Sequence, residues 1–307
     1  MMIRSFAAAT CLVVAAGIAA HAVVAPKKIN IAHRGASSYA PEHTLTAYML
    51  AMEQGADFVE QDLAVTKDGV LVCIHDVTLE RTTNVEEVFP DRFTEVKDGP
   101  GAGKRWFVND FTLAEIKRLD AGSWFDPRFA GTRVPTFQEA IDLVRTRPGT
   151  GLYPELKDPE FYRSRKVDQD QLFIDIVKKN GLDGDAKTPL IVQSFDDVIL
   201  KHMARDLPTV PRVYLVGAEN VSRIDSAEKV KEVAGWATGL GPNKMIVAKA
   251  PDLVKWARAA GLTVTPWTFR SSNTGTFPSV KAEMEEFLYK HDVDALFTDN
   301  PDQFRRR

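Results

Sequence analysis

Eight short apolar runs recur along the chain, each set apart from most of its neighbours by a longer stretch of mixed polarity. They are Ile29–His33, Phe58–Asp62, Leu152–Leu156, Leu190–Ser194, Arg212–Val216, Met245–Ala248, Thr263–Trp267 and Ala295–Thr298. Parallel strands need a crossover of a dozen or more residues, usually a helix. Helical periodicity fills most of the gaps, at Thr44–Glu53, Gln138–Arg145, Gln169–Lys178, Pro251–Ala260 and Ala282–Lys290. Pro251 suits a helix start, while Gly55 and Gly261 follow helical stretches as stops. The alternation predicts the α/β class and a (β/α)8 TIM barrel. No repeat period and no clean linker divides it.

A ninth run, Val70–His75, begins too soon after Asp62 for a parallel crossover. Asp68-Gly69 offers a two-residue hairpin turn instead. That turn sets Lys67 opposite Val70, Thr66 opposite Leu71 and Asp62 opposite His75, so an imidazole returns beside the end of the second strand. The turn-rich stretch from Asp76 to Trp124 (76–124) reads as a small insertion folded over the catalytic end, with a short helical pattern at Leu113–Leu119.

The first 22 residues obey a different rule. Arg4 is their only charge, an apolar run spans Ala7 to Ala20, and Ala20-His21-Ala22 has the small residues of a cleavage site. This predicts a signal peptide at 1–22, a mature domain at 23–307 beginning near Val23, and a periplasmic or secreted destination. An uncleaved anchor is the competing reading; after processing, no permanent membrane span is expected. Cleavage removes Arg4 and Cys11, taking the formal charge of -3 to -4 and leaving Cys73 as the one cysteine. The exported domain must then hold together by packing, without an intrachain disulfide. With 39 basic and 42 acidic residues, no nucleic-acid partner is indicated.

Glu60 and Asp62 are two apart in a strand, so both carboxylates face one side at its C-terminal end. Glu155 and Lys157 repeat the geometry. Three converging carboxylates repel one another unless protonated or coordinated, and oxygen ligands suit calcium or magnesium. Rim salt bridges with Lys157 and Arg34 are the bland alternative. His33 precedes Arg34 and Gly35 at a strand end, where glycine permits close backbone approach and the guanidinium offers a fork to phosphate. His33 and His75 together have the makings of a general base and acid flanking a phosphodiester. His43 reads as a helix-entry contact without a reacting partner, and His202 and His291 as surface residues.

Taken together, these segments resemble the glycerophosphodiester phosphodiesterase family, and its exported bacterial branch in particular. The resemblance rests on IAHRGASSYAPEHTLTAY at Ile31–Tyr48, GADFVEQDLAVTKDGVLVCIHDVTLERTTN at Gly55–Asn84 and VPTFQEAI at Val134–Ile141. It continues through YPELKDP (Tyr153–Pro159), IVQSFD (Ile191–Asp196), TPWTFR (Thr265–Arg270) and LFTDNPD (Leu296–Asp302). It implies that His33 and His75 perform acid–base chemistry, that Glu60, Asp62 and Glu155 hold a divalent metal, and that Arg34 and Lys157 meet the phosphate. Calcium is favoured, with magnesium as the second choice. Glu42 matches a glutamate that orients the first histidine or its loop, and Trp267 an aromatic at the glycerol moiety. His43 stands where the wider family commonly has asparagine, but it resembles the exported branch. The implied reaction releases glycerol 3-phosphate and an alcohol from a small glycerophosphodiester. Lysophospholipid cleavage or cyclisation by a related phospholipase D is the nearest alternative, and a noncatalytic ligand-binding barrel the alternative of another class. Oligomeric state is not specified by these motifs.

Overall fold

A computed structural model describes residues 27–99 and 101–306, so the signal segment expected at 1–22 and its cleavage site lie outside the described residues. In chain order the strands are β1 (Ile29–Ala32), β2 (Phe58–Val65), β3 (Leu71–Cys73), β4 (Thr94–Val96), β5 (Gly103–Arg105), β6 (Gly151–Leu156), β7 (Val192–Ser194), β8 (Arg212–Val216), β9 (Gly239–Pro242), β10 (Thr263–Val264) and β11 (Ala295–Thr298). Eight of them form one parallel path, β10-β9-β8-β7-β6-β2-β1-β11. Its two ends meet through the chain after β10. There the amide of Asp294 donates to Val264 O (3.0 Å), that of Phe297 to Pro266 O (3.1 Å) and that of Phe269 to Phe297 O (2.9 Å). The result is a nearly closed barrel of eight parallel strands, as the alternation predicts.

One strand lies elsewhere than expected. Met245–Ala248 sits inside a helix, Lys244–Lys249, and the barrel strand is the preceding Gly-Leu-Gly-Pro of β9. A Cβ on Gly239 would fall 2.3 Å from Thr263 Oγ1, and one on Gly241 2.7 Å from Leu215 Cδ2. The barrel admits only backbone there. Two glycines and a proline carry no strand propensity, so the neighbouring apolar run drew the assignment. Thr263–Trp267 is likewise shorter than expected, being regular only over Thr263–Val264 before Pro266 interrupts it.

The hairpin exists, but one residue out of the expected register. Leu63 pairs with Cys73, Ala64 with Val72 and Val65 with Leu71. Its connection has three residues, Lys67-Asp68-Gly69: the amide of Thr66 donates to Val70 O (3.0 Å), and that of Gly69 to Thr66 O (3.1 Å). Gly69 takes φ +76, so the turn ends on a left-handed glycine, the usual three-residue solution. Asp62 therefore meets Ile74, whose amide donates to Asp62 O at 3.0 Å, and His75 lies just beyond the ladder.

Residues 76–124 pack against the barrel. A helical turn (Val85–Val88), the antiparallel pair β4–β5 and a second turn (Leu113–Ile116, shorter than the expected Leu113–Leu119) bury Leu79, Val85, Trp106, Phe111 and Ile116 in the same cluster as the barrel's outer face. Inside the barrel, Ile31, Tyr153, Val213, Ala295 and Phe297 form a separate apolar cluster. Tyr153 meets Phe297 edge-on at 5.0 Å and Phe58 at 5.8 Å. This layer, two residues before the strand ends, is the floor on which the site rests.

Candidate active site

A cavity of about 240 Å³ opens at the C-terminal end of the barrel strands. One side carries His33, Arg34, Glu60, Asp62, His75, Glu155 and Lys157, all seven of the residues expected to act on phosphate or metal. The other carries Gln193, Phe195, Leu215, Trp267, Thr268, Arg270 and Phe297.

His33 follows β1, and its Nδ1 pairs with Asp299 Oδ1 at 2.6 Å, just after β11. Burial and the charge of Arg34 lower the His33 pKa against the opposing pull of Asp299, so the ring is neutral near neutral pH. Arg34 adopts a left-handed backbone (φ +58), and its amide donates to Glu60 Oε2 at 2.6 Å. Gly35 (φ +85) makes this turn possible: any Cβ there would stand 2.7 Å from the backbone of Ala47.

His75 is held in the same manner as His33, by a carboxylate at Nδ1. Asp76 Oδ1 lies 2.5 Å away, and Asp76 Oδ2 accepts from Arg81 Nε at 2.5 Å. The other end of Arg81 donates to both oxygens of Glu42, at 2.7 and 3.1 Å. Glu42 Oε1 also accepts from Arg34 Nη1 at 3.0 Å. Burial disfavours the Glu42 charge, but Arg81 and Arg34 outweigh it and hold the pKa at about 2. Glu42 thus braces Arg34, in the loop that follows His33, and, through Arg81 and Asp76, His75. Lys157 Nζ reaches His75 Nε2 and Glu155 Oε1, each at 3.3 Å.

His43 has a larger part than a helix-entry contact. It is buried, its Nε2 is 2.8 Å from Asp62 Oδ2, and its Nδ1 is 2.9 Å from the Tyr48 hydroxyl. Glu60, Asp62 and His43 each present a ligand atom within 4.8 Å of the others. Glu155 stands beside this group, in register with Asp62 on the adjoining strand. Burial and the charge of Asp62 push Glu60 well above the usual carboxylate range and Glu155 up to about 8. Asp62 itself stays low: burial opposes its charge, but His43, Lys157 and Arg34 prevail. Three buried carboxylates with two nearby cations are short of positive charge. A hard divalent cation fits this donor set, since it would let all three ionise together.

Asp299, Asp76, Arg81 and Gln193 were not singled out by sequence reasoning, and His43 was read only as a helix-entry contact. Asp76 directly follows His75, and Asp299 lies within the LFTDNPD segment, but adjacency in sequence does not reveal which carboxylate meets which imidazole. Trp267 is where expected, lining the cavity, with Nε1 donating to Gly241 O at 2.7 Å and its ring edge-on to Phe195 at 5.8 Å.

The sequence profile of the Glycerophosphoryl diester phosphodiesterase family matches residues 33–303. The chain belongs to this family. A glycerophosphodiester phosphodiesterase of Haemophilus influenzae is 34% identical over 330 residues, covering 90% of this chain and 88% of the relative. One of Bacillus subtilis is 33% identical over 295 residues, covering 92% and 88%. Among solved structures, an Oleispira antarctica phosphodiesterase in complex with the product sn-glycerol-3-phosphate superposes with a TM-score of 0.68 at 29% identity, covering 90% of this chain and 95% of that one. The family resemblance of the motifs and the barrel are both borne out by these likenesses.

Proposed function

We propose that this chain hydrolyses glycerophosphodiesters to glycerol 3-phosphate and an alcohol, with a divalent cation, and with His33 and His75 as the proton-transfer pair. The observation that carries the reading is the convergence of two imidazoles on one cavity, each fixed at Nδ1 by a carboxylate, above three buried carboxylates and two cationic side chains. The product held by the Oleispira antarctica neighbour supports it.

Glu60, Asp62 and Glu155 would hold the cation, with His43 keeping Asp62 in place. When bound, such an ion supplies Lewis-acid stabilisation of charge on a phosphoryl oxygen. Arg34 and Lys157 bind the remaining oxygens; both are already anchored, so little reorganisation is needed as charge develops. Asp299 accepts the Nδ1 proton of His33, leaving Nε2 as the basic atom. The lowered pKa of His33 keeps its imidazole neutral, ready to take a proton from the attacking nucleophile (water, or the adjacent glyceryl hydroxyl to give a cyclic phosphate that water then opens), which leaves protonation of the departing alcohol to His75.

Calcium is our proposed ion, because an all-carboxylate set with room for substrate hydroxyls suits its flexible coordination. We further propose that the protein is of the exported branch, cleaved near Ala22 and periplasmic or secreted, on the strength of Arg4, the apolar run and Ala20-His21-Ala22. Mass spectrometry of protein from the native host checks this: a mature start within a few residues of Val23 is expected, and soluble protein retaining Met1 contradicts it. The activity is tested by turnover of glycerophosphocholine before and after chelation, with calcium and magnesium added back. Full turnover by metal-free protein would overturn the assignment.

A further inference from the structure

His43 bridges side chains from two different elements. Its Nε2 lies 2.8 Å from Asp62 Oδ2, on β2, and its Nδ1 lies 2.9 Å from the hydroxyl of Tyr48. Tyr48 stands in the first turn of helix α1 (Leu45–Glu53), which Thr44 caps by accepting from the amide of Ala47 at 3.1 Å. The other side-chain partner of the Tyr48 hydroxyl is the thiol of Cys73, on β3. All four side chains are buried, so each polar atom depends on the partner that the fold supplies. The backbone of His43 is fixed too, in the left-handed region (φ +54), with its amide donating to Arg34 O at 3.1 Å.

The direction of these bonds follows from the acceptor at one end. A carboxylate that serves a cation is ionised and can only accept, so Nε2 carries a proton. A second positive charge beside that cation is unfavourable, so the ring is neutral and Nδ1 is an acceptor. The Tyr48 O–H then donates to Nδ1, and its oxygen accepts from the Cys73 thiol. We infer that Tyr48 is a positioning residue for the metal site: its hydroxyl holds the His43 ring so that Nε2–H is aimed at Asp62 Oδ2. That bond in turn fixes the carboxylate plane presented to the cation. The role rests on the cation-binding reading of Glu60, Asp62 and Glu155 proposed above, and assigns a part in it to a side chain that does not line the cavity. Without the hydroxyl, Nδ1 would be a buried acceptor lacking a donor, and the ring would lose its second anchor.

The test is a calorimetric titration of calcium, without substrate, into chelator-treated wild type, Tyr48→Phe, His43→Gln and the double variant. Nitrogen-15 NMR of the His43 ring in the calcium-loaded wild type accompanies it. Tyr48→Phe should weaken calcium binding by about 10- to 100-fold, the range for outer-shell partners of metal ligands, with its circular dichroism unchanged. In His43→Gln the donor is an amide that has no tautomer to hold, so adding Tyr48→Phe should cost less there, by about 3-fold at most. The wild-type ring should be protonated at Nε2 and bare at Nδ1. If Tyr48→Phe does not fold, this protonation pattern decides. Unaltered affinity in Tyr48→Phe, or an equal loss in both backgrounds, would overturn the role of Tyr48. So would a wild-type ring bare at Nε2, which would make His43 itself a ligand, or one protonated at both nitrogens. Failure of the wild type to bind either calcium or magnesium would instead bring down the cation reading, and this inference with it.

Discussion

The two halves of the barrel mouth share one architecture but not one chemistry. On β1, β2 and β6, and on the segments that continue them, the inward positions near the opening are His33, Arg34, Glu60, Asp62, Glu155 and Lys157. On β8, β9 and the chain after β10 they are Leu215, the glycines of β9 and Trp267. The first half is held by hydrogen bonds to charged groups, such as His33 to Asp299 and Glu42 to Arg81. The second is held mainly by contact, with Gly241 close to Leu215 and Trp267 edge-on to Phe195, and with one neutral hydrogen bond from Trp267 Nε1 to Gly241 O. Charges can be gathered in one region only if each is paired or coordinated, whereas an apolar wall needs shape and no partner. The difference therefore predicts that substitutions on the charged side reach activity, and those on the apolar side reach stability or substrate choice.

The largest effect should come from emptying the charged half of its cation. Exhaustive chelation should abolish turnover of glycerophosphocholine, and a divalent ion should restore it. A melting curve recorded alongside should also fall, because carboxylates left without a cation must take up protons or repel one another.

Next are the two imidazoles. His33→Ala and His75→Ala should each slow turnover by roughly 10²-fold or more with the fold intact, and added metal should rescue neither. If the two act in one step, the double variant should lose less than the product of the single losses. Near-wild-type turnover by folded His75→Ala protein would break the proposed pairing.

A smaller loss is expected from Arg81, which touches neither metal carboxylates nor His75 directly. It links Glu42 to Asp76, and Arg81→Ala should cut kcat by about 10-fold through loss of His75 orientation. Its pH–rate profile should move as well, because Asp76, whose pKa His75 and Arg81 together hold low, loses one of those two partners. An unchanged profile would mean that Asp76 holds His75 unaided.

On the apolar side, Gly239→Ala should lower unfolding free energy by about 1–3 kcal/mol, since its Cβ would overlap Thr263 Oγ1 at 2.3 Å. Denaturant melts measure this, and kcat on the folded fraction should hold. Smallest of all is the effect of Cys73. Burial pushes its thiol up to about 12 from an ordinary 9, so native protein should not react with iodoacetamide at pH 8. The sign for stability follows from linkage: the thiol stays protonated when folded but ionises when unfolded, so stability should be untouched below about pH 9 and decline as pH rises toward about 12.

The same division separates what could be read from the chain alone from what could not. The charged half was legible. Glu60 and Asp62 at spacing two in a strand, and His33-Arg34-Gly35 at a strand end, encode their facing directly through the two-residue period. The apolar half was legible only in part. β9 was missed because glycine is chosen there for the space between β8 and β10, a property of neighbours distant in sequence. The hairpin was foreseen, yet its register was not, since Asp68-Gly69 serves a three-residue turn as readily as a two-residue one.

By itself, then, the sequence determined the parallel α/β alternation, the facing of the carboxylates, and the return of His75 toward the second strand. Local periodicity and turn chemistry suffice for these. Only the tertiary structure decided that Asp299 and Asp76 are the carboxylates that hold the two histidines, and that His43 and Tyr48 support Asp62. It alone decided that Glu42 joins Arg34 to Arg81. These are contacts between side chains separated by up to 266 positions. Their partners are chosen by barrel closure and burial, where a polar group takes whichever complementary atom the fold brings within reach.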